Sequence, residues 1–349
     1  MNYNYNPTQM PNFKPMVFDP QFGYVEAKKL PLKKTRSALS QLSLAAICML
    51  GASLVFSIFV GVFFAIAGIG MDTAAYPESG GIPPQIFYAM QMLMGPLATA
   101  LPFVIYLIIK KEPVAGLIET EKFSFGVALM LIVAGGGLCL ASNYPALLLG
   151  EVIEAAGLDK GDVELPPVKD LFSGICYFIG VAVMPAVFEE FAFRGVVLGT
   201  LKRYGKWFGL IVSSVIFGFM HTNATSILFA TIAGFVMGYV YLLTKNIWVN
   251  IGIHFMNNAI AVILDIVNVN CIELVYTIVD IVLFYVPMLL AVAFIVILIV
   301  EKKLRLPHHE EPLKCSAGCK LAALSTSWGF ISFTVIIAGF VVLGLFGVL

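Results

Sequence analysis

The chain has 349 residues, 60% of them hydrophobic and 12% charged, and its mean hydropathy is +0.93. So much apolar surface excludes a soluble globular protein and predicts a multi-pass protein of the cell membrane, an all-α bundle of transmembrane helices in a lipid bilayer. Acidic and basic residues balance at 21 each, so net charge points to no nucleic-acid partner.

Residues 1–24 are polar, rich in Asn and Pro, and hold no apolar run. With the basic segment 26–36 they read as a disordered cytoplasmic tail over residues 1–37. They do not read as a signal peptide, which needs an apolar run directly after a basic start. A helical span takes roughly 20 apolar residues. Nine runs meet or approach this, at about 42–69, 85–109, 124–149, 171–200, 207–223, 225–243, 247–268, 274–300 and 322–348. Eight to nine spans are therefore expected: N-terminal helices over 38–165, a core over 166–270, and C-terminal helices over 271–349 with a cytoplasmic loop near 301–320. Only a few polar residues separate the fifth and sixth runs, so that hairpin is tight. Gly234 and Gly238 in the sixth form a GxxxG, which allows close helix contact.

Lys and Arg set the orientation. With the N-terminus in the cytoplasm and sides alternating, the cytoplasmic pieces carry 18 of the 21 basic residues. The outer pieces carry Lys160 and Lys169, and Arg194 lies inside a span. The bias favours an N-terminus inside and a C-terminus outside, with an acidic outer loop at 151–170. The six cysteines are mostly inside apolar runs and read as small hydrophobes, not as a disulfide framework. The stretch HHEEPLKCSAGC (308–319) reads as a solvated loop, because its Cys-x3-Cys spacing is not that of a zinc knuckle.

Polar residues within the spans carry the functional signal, because a charge in the bilayer costs at least a few kcal/mol and faces a cavity or a partner. They are Glu189, Glu190 and Arg194 in the fourth run, His221 at the end of the fifth, His254, Asn257, Asn258 and Asp265 in the seventh, and Asp280 in the eighth. Glu190 and Arg194 are i,i+4 in the favourable acid-first order and read as a structural ion pair. Glu189 is about 100° around the helix and is left over, a candidate general base. It could instead be a second partner for Arg194. His254 and Asn258, also i,i+4, could donate two hydrogen bonds to one oxyanion or hold the bundle together across helices. Asn257 reads as packing or capping, and Asp265 and Asp280 as packing or outer-rim groups. Depth poses a puzzle: at about 1.5 Å per residue, His254 lies about 12 Å from Asn246, while Glu189 lies about 20 Å from Arg203 and His221 about 22 Å from Lys206. These converge only if helices tilt or the seventh starts deeper.

The set Glu189–Glu190–x3–Arg194, Phe217–x3–His221 and His254–x3–Asn258 closely resembles the EExxxR, FxxxH and HxxxN signature of the CPBP intramembrane proteases. That group includes the type II CAAX prenyl endopeptidases and the Abi bacteriocin-immunity proteins. The resemblance covers roughly 170–260 and implies a catalytic core within 166–270, with a cavity open to the cytoplasm. It implies hydrolysis of a peptide bond near the C-terminus of a prenylated or otherwise membrane-associated peptide or protein. Glu189 would activate water with His221 sharing the task, His254 and Asn258 would hold the oxyanion, and Glu190 would anchor Arg194. No cofactor is then required. Zinc held by Glu189, His221 and His254 is the other arrangement. Two further functions fit the same residues: a non-catalytic immunity or peptide-binding protein, and a proton-coupled transporter.

Overall fold

The computed structural model describes residues 15–66, 72–161, 165–307 and 315–348. Its helices are α1 (Leu30–Ile66), α2 (Pro84–Lys110), α3 (Phe125–Ala141), α4 (Asn143–Ala155), α5 (Leu171–Tyr204), α6 (Lys206–Phe219), α7 (Ala224–Thr244), α8 (Ile247–Asn270), α9 (Glu273–Val300), α10 (Ala317–Thr326) and α11 (Trp328–Leu345). Among the described residues eight helical stretches, with α3 and α4 forming one of them, are long and apolar enough to cross a membrane. The chain is an all-α, multi-pass membrane protein.

The fifth apolar run differs from the other eight. It forms α6, whose 14 residues reach about 21 Å, short of a hydrocarbon core of about 30 Å. A turn with Thr222 at φ 60° follows, and the Asn223 side chain caps α7 by accepting from Ser226 N. His221 therefore lies on a turn that ends within the bundle.

The N-terminal segment also differs from expectation. Met16–Asp19 (β1) and Gly23–Glu26 (β2) pair antiparallel, with Val17 opposite Val25 and Phe18 opposite Tyr24. Residues 15–37 are thus a hairpin followed by the start of α1, not a disordered tail, while residues 1–14 of that expectation lie outside the described residues. The cause is local: β-branched and aromatic residues on both sides of a short turn favour pairing. Lys34 Nζ sits 2.7 Å from Asp19, and its hydrogen bond holds the Asp19 carboxyl below its usual range.

Hydrogen bonds sort the helix ends into two sets. At one end Tyr204 Oη donates to Lys34 O (3.4 Å), Arg203 grips Glu112 through both guanidinium nitrogens (3.0 and 3.1 Å), Ile247 N donates to Glu119 O (3.0 Å) and Tyr239 Oη donates to Leu304 O (2.5 Å). At the other, Gln85 meets Asp170 (2.8 Å), Tyr88 meets Pro166 O (2.5 Å), Asn270 meets Val168 O (2.7 Å) and Asp159 N meets Leu345 O (3.0 Å). The described basic residues lie at the first end, apart from Lys160, Lys169 and Arg194. We call it the basic end. Cys315 and Cys319 are there too, joined at 2.08 Å, which corrects their reading as unpaired cysteines. Cys315 precedes the Ser316 cap of α10, and Cys319 lies in its first turn.

α6 and α7 pack at backbone distance. A Cβ on Gly218 would stand 2.8 Å from Ile227 O, and one on Gly234 would stand 3.0 Å from Phe217 Cδ1. The pairing brings Phe217 and His221 against α7. Gly218→Ala should force the two helices apart and lower stability by about 1–3 kcal/mol, read as a lower unfolding temperature in detergent than for Gly126→Ala, where a Cβ meets nothing.

Candidate active site

α5 carries the two adjacent glutamates, and its winding is unusual around them. Phe178–Val183 and Glu190–Leu198 are π-helical, with the α-helical Met184–Glu189 between. Such i→i+5 segments pack more residues into a turn and recur at functional sites. They shorten the axial distance from Glu189 to Arg203, which removes part of the depth puzzle. The short α6 removes another part.

Glu190 points into the bundle and is fully buried. Its Oε1 accepts from Arg194 Nη1 at 2.8 Å and stands 2.9 Å from His254 Nδ1, while Oε2 accepts from Asn250 Nδ2 at 3.3 Å. Arg194 also donates to Gly234 O (3.3 Å) and lies 4.5 Å above the Phe217 ring. Asn250 donates to Met237 O at 2.6 Å. One carboxylate thus ties α5, α7 and α8 together. The spacing argument for the Glu190–Arg194 pair matches this geometry.

Glu189 faces the other way, into a cavity of about 310 Å³ lined also by Gln91, Thr99, His221, His254 and Asn258. Its side chain is 20% exposed, and Oε2 lies 3.9 Å from His254 Nε2. That is too long for a direct hydrogen bond, and a water bonded to both atoms bridges such a gap. With Nδ1 held by Glu190, Nε2 is the ring nitrogen that faces Glu189. His221 Nδ1 lies 3.2 Å from Phe217 O, and its ring packs 5.3 Å from the Phe217 ring, which in turn stands 6.1 Å from that of His254.

The four residues singled out as catalytic, Glu189, His221, His254 and Asn258, all line this one cavity. Asn258 is committed differently from the expectation of a free donor. Its Nδ2 donates to Val181 O (2.9 Å) in the first π segment, and its Oδ1 accepts from Asn257 (3.1 Å). Among the described residues no group of three or more His, Cys, Asp or Glu is arranged to hold a metal ion. Glu189, His221 and His254 are thus not gathered as zinc ligands in this geometry. Residues 308–314 of the other candidate cluster lie outside the described residues.

Sequence reasoning missed Asn250, Gln91 and Thr99. Asn250 was legible, because Asn250, His254 and Asn258 repeat at i,i+4 on one face of α8. Gln91 and Thr99 come from α2, whose sequence carries no charge or motif near them. Asp265, read as packing or rim, accepts from Tyr177 Oη at 2.5 Å and links α8 to α5.

Removing one partner of a buried charge pair typically costs about 3–5 kcal/mol, so Glu190→Ala should destabilise the protein by that order in detergent unfolding. The double variant Glu190→Gln/Arg194→Met should recover a substantial part of the loss, since it leaves no charge unpaired. A single variant no worse than the double one would refute the structural role of the pair.

Residues 171–260 match the family described as "Type II CAAX prenyl endopeptidase Rce1-like". A curated relative, "Putative membrane peptidase YdiL" of Bacillus subtilis (strain 168), is 29% identical over 164 residues. That alignment covers 46% of this chain and 66% of the relative, just under two thirds of its length. No solved structure matches. The family segment coincides with the stretch from α5 to α8 that supplies Glu189, Glu190, Arg194, His221, His254 and Asn258. Over the segment that builds this cavity, the chain is similar to the type II CAAX prenyl endopeptidase family.

Proposed function

We propose that this protein is an intramembrane endopeptidase that hydrolyses a peptide bond near the C-terminus of a membrane-associated polypeptide, prenylated or otherwise anchored. The observation that carries the reading is the pair Glu189–His254 in a cavity, with Glu190 fixing the far side of the imidazole. Glu189 accepts a proton from water as that water attacks the scissile carbonyl. The His254 ring, held at Nδ1 by Glu190, turns Nε2 to the developing oxyanion as a donor, and Asn258 supplies a second donor once its amide leaves Val181 O. Glu189, with His221 sharing the task, then returns the proton to the leaving amine. Proton count and charge are the same before and after the cycle.

No step passes through a metal. In this reading the side chains suffice, and zinc is the competing arrangement. Two other readings fit less well. A proton relay needs polar groups strung across the bilayer, whereas these sit in one chamber above a buried floor. A peptide-binding protein would keep the cavity and not need Glu189 ionised.

The test is mass spectrometry of products from purified protein in bilayers, offered prenylated and unmodified C-terminal peptides. Glu189→Gln should reduce cleavage by at least about 100-fold, the low end for loss of a general base, with folding unchanged. Cleavage by the wild type should survive prolonged dialysis against a chelator. Equal products from both proteins would remove Glu189 from the chemistry, and loss of activity on chelation with recovery on adding zinc would favour the metal arrangement.

A further inference from the structure

The hairpin of β1 and β2 has a face that the described residues leave open. Strand alternation puts Met16 and Phe18 on one face of β1, and the register sets Phe18 opposite Tyr24 of β2. These three side chains are 54, 62 and 75% exposed, and the Phe18 and Tyr24 rings meet edge to face at 5.3 Å. On the other face Asp19 and Val25 are buried. Three contacts hold the hairpin to α1: Asp19 pairs with Lys34, Gln21 Nε2 donates to Ser37 Oγ at 2.9 Å, and Lys33 Nζ stands 5.7 Å from the centre of the Phe22 ring. Two strands alone are marginal in water, and a further apolar layer is needed to make them stable.

The level of the hairpin along the bundle identifies that layer. The Lys34 side chain holds Asp19, and the Lys34 carbonyl accepts from Tyr204, the last residue of α5. Beside Tyr204, Arg203 reaches Glu112, just past the end of α2. Two spans thus end at the depth of the hairpin, where a bilayer has its headgroups. Exposed aromatic side chains at that depth form an interfacial belt. Charge agrees with depth. Residues 15–37 carry five basic side chains, Lys28, Lys29, Lys33, Lys34 and Arg36, against the two acids Asp19 and Glu26. Those acids pair with Lys34 and Lys29, so three positive charges are in excess. Basic segments beside a span are drawn to anionic headgroups.

We propose that the outer face of the hairpin is a lipid-binding surface that docks on anionic headgroups at the basic end of the bundle. Phe18 and Tyr24 enter the interface, and the exposed Lys28 and Arg36 meet phosphates. The hairpin then fixes the start of α1 at the membrane surface, whether or not the protein cleaves peptides. A second copy of the chain is the competing occupant, and the excess positive charge on both copies opposes it.

The experiment places the photoreactive amino acid p-benzoylphenylalanine at Phe18, and in a second variant at Tyr24 in case the first disturbs the hairpin. A third variant carries it at Leu289, exposed on α9. Each protein is illuminated in phosphatidylglycerol and in phosphatidylcholine vesicles, and the adducts are identified by mass spectrometry. Positions 18 and 24 should capture lipid in phosphatidylglycerol and largely lose it in phosphatidylcholine, while position 289 captures lipid equally in both. Lipid adducts at 289 with none at 18 or 24 would overturn the proposal. Adducts joining two copies through 18 or 24 would overturn it in favour of a dimer. Equal capture at 18 and 24 in the two lipids would overturn the role of headgroup charge.

Discussion

The structure around the cavity depends on one buried carboxylate. An ionised Glu190 with no exposure would be prohibitively costly without partners, and it has three, from Arg194, His254 and Asn250. Each partner also reaches something else: Arg194 the Gly234 carbonyl and the Phe217 face, Asn250 the Met237 carbonyl, His254 the cavity. Satisfying one charge thus fixes the mutual positions of α5, α7 and α8. It also fixes the ring orientation of His254, which is the part of the arrangement that chemistry would use. The adjacent residue, about 100° around the helix, can then be left facing the cavity. Two consecutive glutamates divide the work: one is consumed by structure, and the other stays open to the cavity.

The winding of α5 makes this division possible. A regular helix would continue its i→i−4 ladder through Glu190 and Arg194. The π segments on either side of Met184–Glu189 alter that ladder. Within the first, the Val181 carbonyl takes a hydrogen bond from Asn258, a contact from a side chain on another helix. Irregular backbone at membrane depth is tolerated where it is buried in protein or lines a cavity, and these segments do both. The same irregularity holds Asn258 against α5, so any role for its amide at an oxyanion requires that bond to break.

Much of this was legible in the sequence, for stated reasons. Helices had to appear wherever about 20 apolar residues run together, and eight did among the described residues. Polar groups at i,i+4 in apolar surroundings had to face each other or a cavity, and Glu190–Arg194 and His254–Asn258 do so in different ways. What could not be read depends on packing between distant segments. Gln91 and Thr99 reach the cavity only because α2 packs beside α5, which no local pattern encodes. The hairpin at 16–26 was hidden because the Asn- and Pro-rich stretch before it dominates the composition of that window. The depth of His221 depended on where α6 stops, and that is decided by the turn at Thr222 and the cap at Asn223, not by hydropathy.

The division of α5 into a dry and a wet side follows from the same buried charge. A cluster of carboxylate, guanidinium and imidazole is strongly bound only where water is excluded, because a low local dielectric strengthens each contact. The layer beneath it, from Phe193 through Leu201 on α5 with Leu210 and Tyr241, is accordingly among the best buried parts of the chain. The proposed hydrolysis needs the opposite condition, water at Glu189. A single helix turn must therefore separate a dry side from a wet one, and the wet side has to be the one away from the sealed layer. The basic residues cluster beyond that layer, where they meet Glu112, Glu119 and Glu121 of the segment joining α2 to α3. Stability on one side of this turn and access on the other are two consequences of where Glu190 is buried.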